Sequence, residues 1–169
     1  VVRFRESVDW LQRARRLILD NKLEMHVQPV MHIASNTVAY YEALARLRSE
    51  TGELIPPGLF IPALERAGDT TLLDHAVIQA SMQCLAQHPY LKKLAINLSA
   101  RSFNNPGLLS HIENNIQKNN LQANQFIFEL TESASLADVR ATRVLCDKLA
   151  ALGCELAVDD FGTGFSTFA

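Results

Sequence analysis

The chain has no sustained basic run. Its 16 Lys and Arg are offset by 18 Asp and Glu, giving a formal net charge of −2. Duplex recognition needs a clustered Lys/Arg face, so DNA is not an expected partner. No apolar run approaches the roughly 18–20 residues of a membrane helix, and the opening VVRFRESVDW is too polar for a signal peptide. Cysteine is scarce. Cys84, Cys146 and Cys154 are odd in number and lack CxxC spacing. That excludes a zinc ribbon or a redox pair, and leaves buried inert thiols and a cytoplasmic setting as the expectation. The DFG at 160–162 is not the kinase motif, because no Gly-rich loop, VAIK-like lysine or HRD loop precedes it. Internal repeats, low-complexity tracts and interdomain linkers are also missing.

What remains is a chain of 169 residues, 48% hydrophobic and 20% charged, enough for one domain with a real core. Trp10, Leu11, Ala14, Leu17 and Ile18 recur at helical spacing within 6–20. Stretches 23–33 and 37–47 read as strands joined by a Ser-Asn turn, a gap that suits an antiparallel hairpin, although EALARLRSE is also good helix sequence. Pro57 near its start and Gly68 past its end bracket a helix, and Asp69 or Thr70 then caps a longer one running to about His88, where Pro89 stops it. The spacing next predicts strand 93–99, helix 106–119, strand 125–131, helix 137–152 closed by Gly153, and strand 154–159. Strands alternating with helices imply a parallel sheet with helices packed outside. In such folds function collects at the C-terminal strand ends.

Those ends carry acids and amides. Asn97 lies near the end of KKLAINLSA, Glu129 interrupts Phe126–Phe128 and is followed by Thr131 and Glu132, and LAV runs into Asp159 and Asp160. Strand side chains alternate faces, so Ala95 and Asn97 share one, Ile127, Glu129 and Thr131 another, and Ala157 and Asp159 a third. Glu42, Leu44 and Arg46 share a face with Tyr40. If all these faces point inward, one cavity collects Glu42, Asn97, Glu129, Asp159 and Asp160. Carboxylates on buried strands need partner cations or a metal. Oxygen donors of this kind suit Mg²⁺ or Mn²⁺, and two such ions would form a clamp for in-line attack on a phosphodiester. Arg46 then fits as a phosphate contact, since its fork matches two phosphate oxygens.

The segments YYEALARL, FIPALERAG, AINLSA, FELTES and VDDFGTGFST occur in the order and spacing of the EAL-domain cyclic di-GMP phosphodiesterases, and from about residue 20 onward the chain resembles that family. The resemblance implies an α/β fold: a (β/α)₈ TIM-like barrel whose first strand runs antiparallel to the others. It implies hydrolysis of cyclic di-GMP to linear pGpG with two Mg²⁺ or Mn²⁺ ions, in bacterial second-messenger signalling. Glu42, Asn97, Glu129, Asp159 and Asp160 match metal ligands, Gln28 and Leu44 match ligand-pocket positions, and Arg46 matches a phosphate contact. Thr131 and Glu132 match residues that anchor the catalytic loop. Ala45 and Val27 depart from the family's usual Leu and Tyr, at positions that supply no ligand.

The resemblance also implies a partial domain. A whole barrel takes about 250 residues and eight strands, against five strands legible here. The family's lysine implicated in activating water lies beyond residue 169, so the fragment alone is expected to be inactive. The organisation expected is an N-terminal connector helix over 1–20, leading from an upstream sensory or GGDEF-type domain, and a C-terminally incomplete EAL domain over 21–169. An open sheet of five strands would expose its first and fifth edges and the apolar residues Ile127, Ala157 and Val158, which favours a homodimer or oligomer. Two other readings are a non-catalytic cyclic di-GMP sensor and a regulatory or dimerisation module.

Overall fold

The structure is a computed structural model that describes residues 2–99, 101–102, 105–131, 138–161 and 164–168; for 2–7, 131, 159–161 and 164–168 it describes the backbone alone. Five α-helices and seven strands are described: α1 Val2–Leu19, β1 Leu23–His32, β2 Thr37–Arg48, β3 Leu54–Ile55, α2 Pro57–Arg66, α3 Thr71–Gln87, β4 Leu94–Leu98, α4 Leu108–Lys118, β5 Phe126–Thr131, α5 Val139–Leu152, β6 Glu155–Phe161 and β7 Gly164–Phe168. The strands form one sheet in the order β1-β2-β4-β5-β6-β7, with β3 paired to β2 at the side. β1 runs antiparallel to β2, whereas β2, β4, β5 and β6 are mutually parallel. This is the expected partial barrel with its inverted first strand.

Local chemistry explains the boundaries. The α1 stripe buries Ala14, Leu17 and Ile18, and α1 packs on α2, α3 and β2. Pro57 opens α2, where its missing N–H costs nothing, and Gly68 at φ +69° ends it with its N–H donating to Glu65 O at 3.0 Å. Asp138 caps α5 by accepting from the Ala141 N–H at 2.9 Å, and Gly153 at φ +101° closes that helix. Thr70 occupies the cap position of α3 without a side-chain cap bond. Asp69 pairs with Arg15 of α1.

β2 settles the helix-or-strand ambiguity of EALARL. It is a central strand, paired with β1 along its length and with β4 on its other side, so ladder bonds on both sides outweigh helix propensity. Ala43 and Leu47 point into the core with Leu94, Ile96, Leu98, Phe126, Phe128 and Leu130, where the helices pack. The opposite face carries a second, smaller cluster of Ala95, Ile127 and Ala157, with Tyr40 against it.

One expectation is corrected. The five expected barrel strands are present as β1, β2, β4, β5 and β6, and two further strands join the sheet, Leu54–Ile55 on β2 and Gly164–Phe168 antiparallel to β6. The β6 edge is therefore covered, with Leu156, Ala157 and Val158 paired to Phe168, Thr167 and Ser166. Ile127, Ala157 and Val158 are buried. An alternation of strands and helices does not signal this antiparallel pairing. All three cysteines are free; Cys154 is buried, and burial pushes its thiol up to about 11.

A strand-end site beside a guanidinium-lined cavity

The parallel register brings the expected residues to one end of the sheet. Glu42 lies level with Ala95, Asn97 is opposite Glu129, and Thr131 is opposite Asp159. Asn97 and Glu129 stand on the face that carries Ala95, Ile127 and Ala157, two residues further along their strands. The Asn97 amide Nδ2 donates to Glu42 Oε1 at 3.1 Å, linking β4 to β2. Glu129 is buried, only 4% exposed, and an ionised carboxylate withdrawn from water needs compensating charge. On the hairpin, Gln28 is opposite Glu42, and Leu44 and Arg46 follow on the same face of β2. The side chains of Thr131, Asp159 and Asp160, and the whole of Glu132, lie outside the described residues.

A cavity of about 820 Å³ opens beside these ends, walled by β2, α2, α3 and the segment after β4. Leu44, Arg46 and Asn97 line it, joined by Asp74, Arg101 and Arg66. Arg46 donates from Nη1 to the Ala45 carbonyl at 2.8 Å. The nearby Glu24 does not hold Arg46, because Arg48 grips both of its oxygens at 3.0 and 2.8 Å and lowers its pKa. Arg101 rests its guanidinium against Gly68: a Cβ there would meet Nη1 at 3.2 Å. Asp74 is buried on α3 and accepts from Ser102 Oγ at 2.6 Å. Burial raises its carboxyl to about 6; the Ser102 bond opposes that shift and Glu65 adds to it.

Sequence reasoning missed Asp74, Arg101 and Ser102, and read Gly68 only as a helix stop. One signal for Asp74 was available: it falls on the apolar stripe Leu73, Val77, Ile78 and Met82 of α3, where an acid is out of place. Arg101 and Ser102 carried no such signal, since a polar loop is ordinary.

The donors here are oxygens, two carboxylates and an amide, which suits a hard divalent cation and not zinc. Among the described residues no three His, Cys, Asp or Glu side chains cluster closely enough to hold a metal ion. The described part of the set, Glu42, Asn97 and Glu129, fits Mg²⁺ or Mn²⁺ by the chemistry of its oxygen atoms.

Comparison with known proteins follows the same lines. The family model described as EAL domain matches residues 9–169. The chain is 30% identical over 168 residues to the cyclic di-GMP phosphodiesterase PdeF of Escherichia coli K12, covering 98% of this chain and 22% of that protein. It is 31% identical over 167 residues to the bifunctional diguanylate cyclase/cyclic di-GMP phosphodiesterase MucR of Pseudomonas aeruginosa, covering 96% of this chain and 24% of that one. The chain thus spans less than a quarter of the length of these relatives. Among solved structures, the PaMucR phosphodiesterase in its c-di-GMP complex superposes with a TM-score of 0.80 at 30% identity, over 94% of this chain and 66% of that one. The FimX EAL domain from Pseudomonas aeruginosa bound to c-di-GMP gives 0.83 at 28%, over 92% and 64%.

Proposed function

The chain belongs to the EAL domain family, and on that premise we propose that the protein carrying it is a cyclic di-GMP phosphodiesterase. The observation that carries the reading is the junction of two features: the Glu42–Asn97–Glu129 oxygen donors at the strand ends, and the adjoining cavity walled by Arg46, Arg66 and Arg101. Guanidinium forks match both phosphate oxygens and the O6/N7 edge of guanine. A cyclic dinucleotide of guanosine offers both.

In this reading Arg46 binds a phosphate oxygen pair and Leu44 and Gln28 shape the pocket. Glu42, Asn97, Glu129, Asp159 and Asp160 would hold two Mg²⁺ or Mn²⁺ ions, with Thr131 and Glu132 anchoring the loop that follows Asp159 and Asp160. The ions, when bound, supply positive charge to the phosphoryl group and favour deprotonation of water. The overall reaction adds the oxygen of one water to phosphorus and breaks the bond to one ribose 3′ oxygen. That oxygen leaves as a hydroxyl, a proton from water ends on it, and linear pGpG results. Arg46 orients the reacting phosphodiester, and the apolar floor of Ala95, Ile127 and Ala157 keeps bulk water from beneath the donors.

We place the activity in the cytoplasm; among the described residues no helix is long and apolar enough to cross a membrane. α1 serves as the connector to an upstream sensory or GGDEF-type domain, and the outer side of β1, an end strand of the sheet, supports pairing with a second copy. Chromatography of cyclic di-GMP incubated with Mn²⁺ and the purified protein that carries this chain, not the 169-residue chain alone, tests the reading. Conversion to pGpG, lost in Glu129→Gln, is expected. Tight binding without conversion would favour a sensor, and neither binding nor conversion would overturn the reading.

A further inference from the structure

We propose that Asp74 and Ser102 act as a positioning pair for the cavity: the buried carboxylate on α3 fixes the turn after β4 and so holds Arg101 where a bound anion can reach it. The proposal rests on the cyclic di-GMP reading for its ligand, and on geometry for everything else. Ser102 is nearly inaccessible, at 1% exposure, and donates to Asp74 Oδ2 at 2.6 Å. Its N–H donates to the Ser99 carbonyl at 3.1 Å, and the two hydroxyls lie 3.1 Å apart. Arg101 is the residue before Ser102, so this turn determines where its side chain departs. The guanidinium then lies against the Cβ-less surface of Gly68.

The next residue of α3 holds the same segment further on. His75 stacks on His111 with ring centroids 4.1 Å apart, and its Nε2 lies 3.3 Å from Asn105 Nδ2. Two consecutive residues of one helix thus grip the chain at Ser102 and at Asn105. Nothing about core packing requires a carboxylate at position 74, where burial disfavours its charge. A buried acid retained next to a ligand cavity is better explained by what it holds.

Ionised carboxylates accept hydrogen bonds more strongly than neutral ones, so the grip tightens as Asp74 loses its proton near pH 6. The charged and titratable groups around it are Glu65 and Arg66 on α2, Arg46 on β2, Arg101 after β4, and His75 with His111 beside it. Only the Asp74 charge is removed in Asp74→Asn, which keeps the shape and an acceptor oxygen.

The test measures two quantities from pH 5 to 8 on wild type, Ser102→Ala, Ser102→Thr and Asp74→Asn. One is cyclic di-GMP affinity by calorimetry; the other is amide exchange at residues 102 and 105 by NMR, corrected for intrinsic pH dependence. In wild type, affinity and protection are expected to rise together through about pH 6, and in Asp74→Asn both should lose that step. Ser102→Ala should weaken binding about tenfold at pH 7.5, the scale of a hydrogen bond to a charged group, with Ser102→Thr restoring it. Arg101→Ala should cost a similar factor and add nothing to Ser102→Ala. Unchanged affinity in Ser102→Ala, or tighter binding in Asp74→Asn, would overturn the proposal; the latter would make Asp74 a repulsive gate for anions. If no variant binds the ligand, the functional reading falls, while the exchange data still decide whether the pair fixes the turn.

Discussion

Replacing Asp74 by Asn should make this protein more stable, and the gain should depend on pH. Asp74 is 5% exposed, and its carboxyl is raised from 3.8 to about 6, chiefly by burial. A group whose pKa is higher in the fold than in the unfolded chain binds its proton more tightly when folded. Its contribution is fully present below the unfolded value, near pH 4, and is lost as pH rises through about 6. At 1.36 kcal/mol per pH unit the rise corresponds to about 3 kcal/mol at pH 7. Asn carries no charge and so avoids this loss, while its carbonyl can still accept from Ser102. Urea denaturation of both proteins at pH 4, 5, 6 and 7 isolates the effect, because every other titrating group cancels in the difference. The stability of Asp74→Asn relative to wild type should grow by about 2.4 kcal/mol from pH 4 to 7, because part of the loss has already occurred at pH 4, and that is a midpoint shift of about 1.2 M urea for an m-value of about 2 kcal/mol/M. Parallel stability curves would refute the reasoning, since they would mean that Asp74 titrates equally in both states. A protein more stable without Asp74 yet weaker in ligand binding is the signature of an acid kept for its position.

Three further outcomes are expected. Glu42→Ala removes the acceptor of the Asn97 amide and should weaken Mn²⁺ binding in calorimetry more than about 100-fold, beyond the loss typical of an outer-shell partner; equal affinity would remove Glu42 from the donor set. Gly68→Ala forces a Cβ onto a backbone at φ +69° and to within 3.2 Å of Arg101, so it should cost about 1–2 kcal/mol in urea denaturation and also weaken cyclic di-GMP binding; an unchanged midpoint would refute the strain. Cys154, with its thiol raised to about 11, should be the last cysteine alkylated by iodoacetamide at pH 8 and should react promptly in urea; mass mapping that finds it modified first in the native protein would contradict its burial.

The elements and the strand-end residues were legible in local sequence. Helical spacing in α1, the Pro57 and Gly68 brackets of α2, and the Asp138 and Gly153 caps of α5 are local devices that need no partner to be read. Alternation within each strand likewise assigned Ala95 and Asn97, and Ile127 and Glu129, to common faces before any register was known. Three things waited for the packed molecule. EALARL, read as a strand with a helical alternative, settled as a strand because β1 and β4 flank it, and propensity alone could not remove the alternative. The β6 edge was closed by antiparallel pairing with β7, which the alternation of strands and helices gave no reason to expect. The wall of the cavity brought Asp74 on α3 together with Arg101 after β4, backed by Ser102 and Gly68, and nothing local to any of these segments announced the meeting. Their meeting depends on how the helices pack against the sheet. Local propensity and periodicity act over a few residues, whereas that packing is decided by burial of the whole apolar face at once.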